Sequence, residues 1–190
     1  MYWNKMKSHG WTVLELSLVI VISTCLIVYA VPAFRNLMKS LEAARITAEL
    51  LQLCNESRSQ ALGSHRTITL CGSSDARHCD HQWAHGVLRF VDIDRNGNRD
   101  DQEDILGYAS LDIAPSKLAW RGFQGKVLTY ESFGTSYAGN GTFTYCTEEM
   151  EQKFRRQVVV SRSGRARKSQ DYNGDGIHET ASGGQITCPP

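Results

Sequence analysis

Residues 10–34 read GWTVLELSLVIVISTCLIVYAVPAF, and this apolar stretch sets the architecture of the 190-residue chain. No charged residue lies between Leu16 and Phe34. Because a helix rises about 1.5 Å per residue, a run of this length spans roughly 30 Å, enough to cross a bilayer. Lys5 and Lys7 precede it, and basic residues tend to stay on the cytoplasmic side. We therefore predict one membrane helix, with the rest of the chain outside the cytoplasm.

A cleaved secretory signal peptide is the alternative interpretation of this N-terminus. We disfavour it because the basic segment leads directly into a long apolar stretch, and no small-residue cleavage site follows that stretch. The chain beyond Phe34 is also too polar for a second membrane span. The sequence thus favours a protein that crosses the membrane once.

Composition excludes a function that rests on overall charge. The formal net charge is +1, with 22% charged and 41% hydrophobic residues, as in an ordinary globular protein. Affinity for nucleic acid or for a membrane surface would have to come from local clusters. Neither a glycine-rich phosphate loop nor a nucleophile–base arrangement stands out, so we do not expect an enzyme.

The most specific motif is Gly10-Trp11-Thr12-Val13-Leu14-Glu15-Leu16. It resembles the prepilin peptidase site of type IV pilins and type II secretion pseudopilins, although Trp11 stands where phenylalanine is usual. The resemblance implies that prepilin peptidase cleaves after Gly10, that Trp11 becomes the N-methylated N-terminus, and that Glu15 is the glutamate used in assembly. It also implies a bacterial inner-membrane location, with a cytoplasmic N-terminus, a periplasmic domain and other pilin or pseudopilin subunits as partners.

The physics of Glu15 supports this resemblance independently. A carboxylate in an apolar run is costly and normally has a partner. The new α-amino group of a neighbouring subunit would supply one during filament assembly. In the alternative interpretation, Glu15 lies near the membrane edge and extends to the lipid headgroups.

Helical periodicity continues beyond Pro32. Apolar residues recur at three- and four-residue steps: Phe34, Leu37, Met38, Leu41, Ala44, Ala48 and Leu51. We expect this stripe to pack on the globular domain and Gly63 to end the helix. The predicted organisation is a leader (1–10), a transmembrane helix (11–34), an amphipathic continuation (35–63) and a β-rich domain (64–190).

The remainder reads as short strands separated by turns. The predicted strands are 67–71, 87–92, 105–109, 126–130, 141–146 and 157–161. The fold class is therefore α+β, a long N-terminal helix packed on a mostly antiparallel sheet domain. This order of parts is similar to the FimT/GspH branch of the pilin superfamily, and the residues that carry the similarity are 58–61, 68–71, 83–87, 90–92 and 158–165.

Five cysteines follow the apolar run and would lie in an oxidising compartment. Cys71 and Cys79 bracket a short polar loop and are the most natural pair. Cys146 and Cys188 would then tie the C-terminal tail to an earlier strand and leave Cys54 free. Spacing alone does not determine this connectivity, so other pairings stay open.

A basic segment lies near the C-terminus. Residues 153–168 contain no acidic residue, and their basic residues are Lys153, Arg155, Arg156, Arg162, Arg165, Arg167 and Lys168. Gly164-Arg165-Ala166-Arg167 resembles the GRxR motif of FimT-type minor pilins, which bind DNA during natural transformation. By that resemblance Arg165 and Arg167 contact double-stranded DNA, and Gly164 lets the backbone turn and approach the duplex. Arg162, Lys168, Arg155 and Arg156 would widen the patch.

The spacing of the two arginines suits phosphate binding. In an extended segment, residues two apart point the same way and lie roughly 6.6 Å apart. Two guanidinium groups so placed can engage different phosphates without reading sequence. In the alternative interpretation this is a solvated strand face whose arginines pair with Glu148, Glu149 and Glu151, because charge runs are usually only that.

Two acidic turns have the spacing of calcium loops. Residues 92–103 fit the EF-hand pattern, and their candidate ligands are Asp92, Asp94, Asn96, Asn98 and Glu103. A shorter version comprises Asp171, Asn173, Asp175, Gly176 and Glu179. Neither loop is obviously flanked by helices, so a polar β-turn stays open as the alternative. Calcium is the one cofactor that the sequence suggests.

These features favour a FimT-like minor pilin that is incorporated into a type IV pilus and binds DNA for natural transformation. The alternative is a GspH-like minor pseudopilin of a type II secretion system, which would share the membrane helix and the β-domain. A third interpretation is a minor pilin that primes pilus assembly and binds no ligand.

Overall fold

A computed structural model describes residues 12–123, 125–136 and 139–189. Its first element is a long helix, α1, which comprises Val13–Ser64 and continues through Pro32. The chain divides into two compact units between Met38 and Lys39. Among the described residues, α1 is the one helix long and apolar enough to cross a membrane. The predicted α+β class, with one long N-terminal helix, is confirmed.

Within the second unit, α1 buries a different stripe from the predicted one. Its buried residues are Ala43, Ile46, Thr47, Leu50, Leu53, Cys54, Ser57 and Ala61. The predicted stripe residues Leu41, Ala44 and Ala48 are exposed. The prediction was wrong because this part of the helix carries apolar residues on two faces. The face with the bulkier Ile46 and Leu50 removes more apolar area from water when it packs on the sheets.

Eight strands follow α1. They are β1 (Ile68–Gly72), β2 (Gly86–Val91), β3 (Ile105–Ser110), β4 (Lys117–Gly122), β5 (Leu128–Tyr130), β6 (Gly141–Cys146), β7 (Arg156–Val160) and β8 (Ala166–Lys168). All pairs are antiparallel and form two four-stranded sheets, in the orders β3-β2-β1-β5 and β4-β6-β7-β8. A 3₁₀ turn, Gln152–Phe154, leads into β7. The sequence predicted six of these strands and missed β4 and β8.

One hydrophobic cluster joins the helix to both sheets. It contains Ile46 and Leu50 of α1, Leu70 of β1, and Phe143 and Val158 of the second sheet. Each of these side chains is at most 1% exposed. The core therefore fixes the position of the second sheet and of the hairpin at its edge.

Both predicted disulfides are present. Cys71–Cys79 closes the loop after β1, and Cys146–Cys188 ties the C-terminal tail to β6. Cys54 is free, as predicted, and lies buried in the core. Burial raises the pKa of its thiol to about 12.

Candidate nucleic-acid interface

Of the N-terminal motif, Gly10 and Trp11 lie outside the described residues. Thr12 lies directly before α1 and exchanges hydrogen bonds with Glu15. The Thr12 backbone N–H donates to Glu15 Oε2 at 3.0 Å, and the Glu15 backbone N–H donates to Thr12 Oγ1 at 3.2 Å. This reciprocal pair is a capping box, and its Thr-x-x-Glu signature was available in the sequence but not used. Glu15 thus caps its own helix in the single chain.

The predicted DNA-binding motif lies on a hairpin at the edge of the second sheet. Val159 of β7 stands opposite Arg167 of β8, and Val160 stands opposite Ala166. Pairing continues past the strand ends, because the Ser161 backbone N–H donates to the Arg165 carbonyl oxygen at 3.0 Å. The segment is therefore extended through both arginines, as the spacing argument required.

Gly164 forms the turn of this hairpin but is not part of its surface. It is buried, with a φ of +76°, and a Cβ at this position would collide with the Gly134 carbonyl oxygen. The same oxygen accepts a hydrogen bond from Arg58 Nε at 2.9 Å. The predicted turn is present, whereas the predicted approach of the Gly164 backbone to DNA loses its support, because the glycine faces the interior.

Arg165 and Arg167 project away from the core. Ala166, between them, packs against the hydrophobic cluster, so the side chains on either side point to the opposite face. Both arginines are exposed. Within the described part of the chain, neither side chain forms an ion pair or a hydrogen bond. The two guanidinium groups therefore stand together on one open face.

Lys168 is exposed but does not share that face. It stands opposite Val158, whose side chain is buried, so the pleat directs Lys168 to the side opposite Arg167. Arg162, in the hairpin turn, is exposed, and its guanidinium lies 5.4 Å from the Phe123 ring centroid. The structure thus brings Arg165 and Arg167 together on one face, places Arg162 in the adjoining turn, and directs Lys168 to the other face.

Two further arginines of the segment have structural contacts instead. Arg155 donates to the Ile186 carbonyl oxygen at 2.8 Å and, through Nε and Nη2, to the Met150 carbonyl oxygen. Arg156 Nη1 donates to the Lys153 carbonyl oxygen at 2.7 Å. The expectation that Arg155 and Arg156 widen the patch is wrong, because their guanidinium groups hold backbone carbonyls of neighbouring segments.

The nearby acids do not neutralise the arginines. Glu149 and Glu151 lie 3.0 and 2.6 Å from Lys39 Nζ. The hydrogen bond from Lys39 lowers the pKa of Glu149, and the bond to Glu151 is the largest cause that raises the pKa of Lys39. The alternative interpretation expected Glu149 and Glu151 to pair with the arginines, but both glutamates pair with Lys39 instead.

Sequence reasoning missed Arg121, which lies on the same face as Arg167. The sheet register aligns a transverse row in which Arg121 stands opposite Thr142, Thr142 opposite Val159, and Val159 opposite Arg167. Three strand spacings separate the two arginines, or roughly 14 Å. A groove of about 490 Å³ on this face is lined by Arg121, Thr142 and Val159 of the sheet and by residues of the C-terminal tail, among them Thr180 and Thr187. The row could have been found only by identifying both β4 and β8, because the pairing of these two strands with β6 and β7 places Arg121 and Arg167 in it.

The first acidic loop, residues 92–103, joins β2 to β3. Carboxylate oxygens of Asp92, Asp94 and Glu103 lie within 4.8 Å of one another. Asn96 Oδ1 accepts the backbone N–H of Asn98 at 2.6 Å, and both asparagines are exposed. Burial, followed by the charge of Glu103, raises the pKa of Asp92. The structure therefore gathers the three predicted carboxylate ligands at one place in the loop, and Asn96 contacts them through Nδ2, which donates to Asp94 Oδ2 at 2.7 Å.

The second acidic loop, residues 171–179, repeats this local geometry. The Gly176 backbone N–H donates to Asp171 Oδ2 at 2.8 Å, and the Tyr172 N–H donates to Glu179 Oε2 at 2.8 Å. Oxygens of Asp171, Asp175 and Glu179 lie within 4.8 Å of one another. The backbone N–H of Gly176 is the main cause that lowers the pKa of Asp171. Hydrogen bonds within the loop thus satisfy this cluster.

The comparisons with known proteins agree with this architecture. A family model described as type II transport protein GspH matches residues 35–164. A crystal structure of the Pseudomonas aeruginosa type IV minor pilin FimU is similar, with a TM-score of 0.52 and 20% identity over 70% of this chain and 90% of that chain. The Vibrio cholerae minor pseudopilin EpsH of the type 2 secretion system gives a TM-score of 0.47 at 16% identity, over 67% of this chain and 95% of that chain. No curated protein sequence matches significantly. Because the family model matches more than half of the chain, the chain belongs to the GspH family.

Proposed function

We propose that this protein is a minor pilin that is incorporated into a type IV pilus and binds double-stranded DNA for natural transformation. One observation carries the proposal: Arg165 and Arg167 project together from the edge of the second sheet, exposed and without an acidic partner among the described residues. The proposed contacts are to phosphates, which carry no sequence information, so this binding is non-specific for sequence.

The free state of the two guanidinium groups favours phosphate binding. In the part of the chain that the structure describes, no ion pair has to break before they engage DNA, so the attraction to phosphate is not offset by a lost contact there. Arginine presents a planar fork of donors that matches phosphate oxygens. Arg121 lies on the same face and would extend the contact across the sheet. The proposed interface is therefore a face of the second sheet and its terminal hairpin.

The test is binding of the full chain, in a nonionic detergent, to a fluorescent duplex measured by anisotropy. Arg165→Gln/Arg167→Gln removes the two proposed contacts, and we expect it to weaken binding at least about tenfold at moderate salt. Arg66→Gln/Arg77→Gln is the matched control, because it removes two exposed arginines from the region of the first sheet. Equal affinity of the two double variants would contradict the proposal.

The runner-up is a minor pseudopilin of a type II secretion system. The description of the matching family model, type II transport protein GspH, favours it. Such a protein would build a secretion filament and contact secreted proteins, with no need for DNA. Absence of DNA binding at low salt, with the disulfides intact, would transfer our preference to this function. If gene deletion abolished piliation itself, a purely structural minor pilin would be the better description.

The N-terminal part of the proposal concerns maturation and assembly. We infer that prepilin peptidase cleaves after Gly10 in the inner membrane, that Trp11 is then N-methylated, and that Glu15 pairs with the α-amino group of a neighbouring subunit. The exposed apolar surface of α1 supports this inference, because a filament of such helices would bury it.

A further inference from the structure

The loop between β2 and β3 collects negative charge in a buried position. Asp92 is 1% exposed and Glu103 is 5% exposed, and both lie beside the exposed Asp94. In the described part of the chain, no basic side chain forms an ion pair with any of the three. Buried carboxylates are normally paired with a cation or coordinate a metal. Among the described residues, this cluster has no such partner.

One oxygen of the cluster is an orphan. Asp92 Oδ2 accepts hydrogen bonds from Thr69 Oγ1 at 2.7 Å and from the Gly97 backbone N–H at 3.1 Å. Asp92 Oδ1 is fully buried and has no hydrogen-bond partner among the described residues. A buried acceptor without a donor costs about 1–3 kcal/mol, and more when it is charged. A bound cation would satisfy it.

We propose that this loop binds one calcium ion, with Asp92, Asp94 and Glu103 as carboxylate ligands. Asn96 supplies its side-chain oxygen and Asn98 its backbone carbonyl, at the fifth and seventh positions of the EF-hand spacing. The ligand set contains only oxygen, which suits calcium or magnesium and disfavours zinc or copper. A loop with many protein oxygens favours calcium, because magnesium usually keeps several of its waters.

The site differs from an EF-hand in what supports it. Strands β2 and β3 flank the loop where an EF-hand has helices. Asp92 also reaches across the sheet, through its hydrogen bond to Thr69 on β1. The ion would therefore fasten the β2–β3 connection to the middle of the first sheet. Because calcium would bind the folded chain and not the unfolded one, it should raise the melting temperature as its concentration rises.

The second acidic loop serves as an internal comparison. It shares the backbone hydrogen bonds of the first loop, but among its described side chains no buried oxygen lacks a partner. Asp171 is partly exposed, whereas Asp92 is buried. The proposal therefore assigns the ion to the first loop only.

The experiment is calorimetric titration of calcium chloride into the full chain, in detergent, after removal of divalent ions with a chelator. We expect one site with a dissociation constant of roughly 0.1–1 mM, the range of extracellular calcium modules, and a higher melting temperature with calcium. Asp94→Asn removes an exposed ligand without disturbing the core, and should weaken binding at least about tenfold.

The matched control is Asp101→Asn, which makes the same charge change in the same loop at a fully exposed side chain that accepts a hydrogen bond from Arg99. This variant should bind calcium like the wild type. No binding up to about 10 mM calcium would overturn the proposal. So would wild-type affinity in Asp94→Asn, and loss of binding in Asp175→Asn would then locate the ion in the second loop.

Discussion

Gly164 forms the turn that places the side chains of Arg165 and Arg167 on the surface. Its positive φ makes the hairpin turn, and its missing Cβ lets the turn lie against the Gly134 carbonyl oxygen. Gly164→Ala adds both left-handed backbone strain and a collision with backbone. We expect it to lower the free energy of unfolding by at least about 2 kcal/mol, measured by urea denaturation.

The control for Gly164→Ala is Gly174→Ala. Gly174 also has a positive φ, +80°, but nothing lies within 4 Å of the added Cβ. It should therefore cost only the backbone strain, about 1 kcal/mol. Equal losses in the two variants would show that the contact with Gly134 does not matter for the hairpin.

At the same scale, the sequence predicted the residue types of the site better than their surroundings. Arg165 and Arg167 stood out because residues two positions apart in an extended segment lie on the same face. That Arg155 is occupied by two carbonyls, or that Asp92 keeps one orphan oxygen, depends on segments far away in the chain. Local patterns carry no information about such contacts.

At the scale of elements, Arg155 distinguishes the two kinds of arginine in the basic segment. Its guanidinium holds the Met150 and Ile186 carbonyls and so joins the tail to the start of β7. Arg155→Gln leaves these carbonyls without their charged donor, and we expect a loss of about 1–3 kcal/mol in urea denaturation. Arg165→Gln should change the stability by less than about 0.5 kcal/mol, because the side chain is exposed and forms no hydrogen bond or ion pair with the described residues.

The opposite ranking, with Arg165→Gln the more destabilising, would contradict the assignment of Arg165 to the surface.

Contacts between distant segments also explain why the sequence analysis missed two strands. β4 reads KLAWRG and β8 only ARK, and neither has the run of β-branched residues that marks a strand. They are strands because β6 and β7 offer them edges, which is a tertiary effect.

The helix shows the same limit of local reasoning. Its existence and length follow from the apolar run and the continued periodicity. Which face is buried does not follow, because two apolar faces satisfy the same helical period. The choice is made by the sheets, whose cluster accepts Ile46 and Leu50.

At the scale of the whole molecule, Glu15 has two separable roles. Its side chain caps α1, and its charge is proposed to pair with a neighbouring subunit. Glutamine also serves in a capping box, so Glu15→Gln keeps the cap and removes the charge. We expect Glu15→Gln to prevent incorporation into sheared filaments as fully as Glu15→Ala does. Normal incorporation of Glu15→Gln would show that capping alone is the role of this residue.

The central claim, that the β7–β8 hairpin binds DNA phosphates, is tested most directly by the salt dependence of binding. The measurement is the slope of the logarithm of the binding constant against the logarithm of salt concentration. For Arg165→Gln/Arg167→Gln the account predicts a slope shallower by about 1.8, or 0.9 for each lost phosphate contact, while Arg66→Gln/Arg77→Gln keeps the wild-type slope. An unchanged slope in the first double variant would contradict the claim.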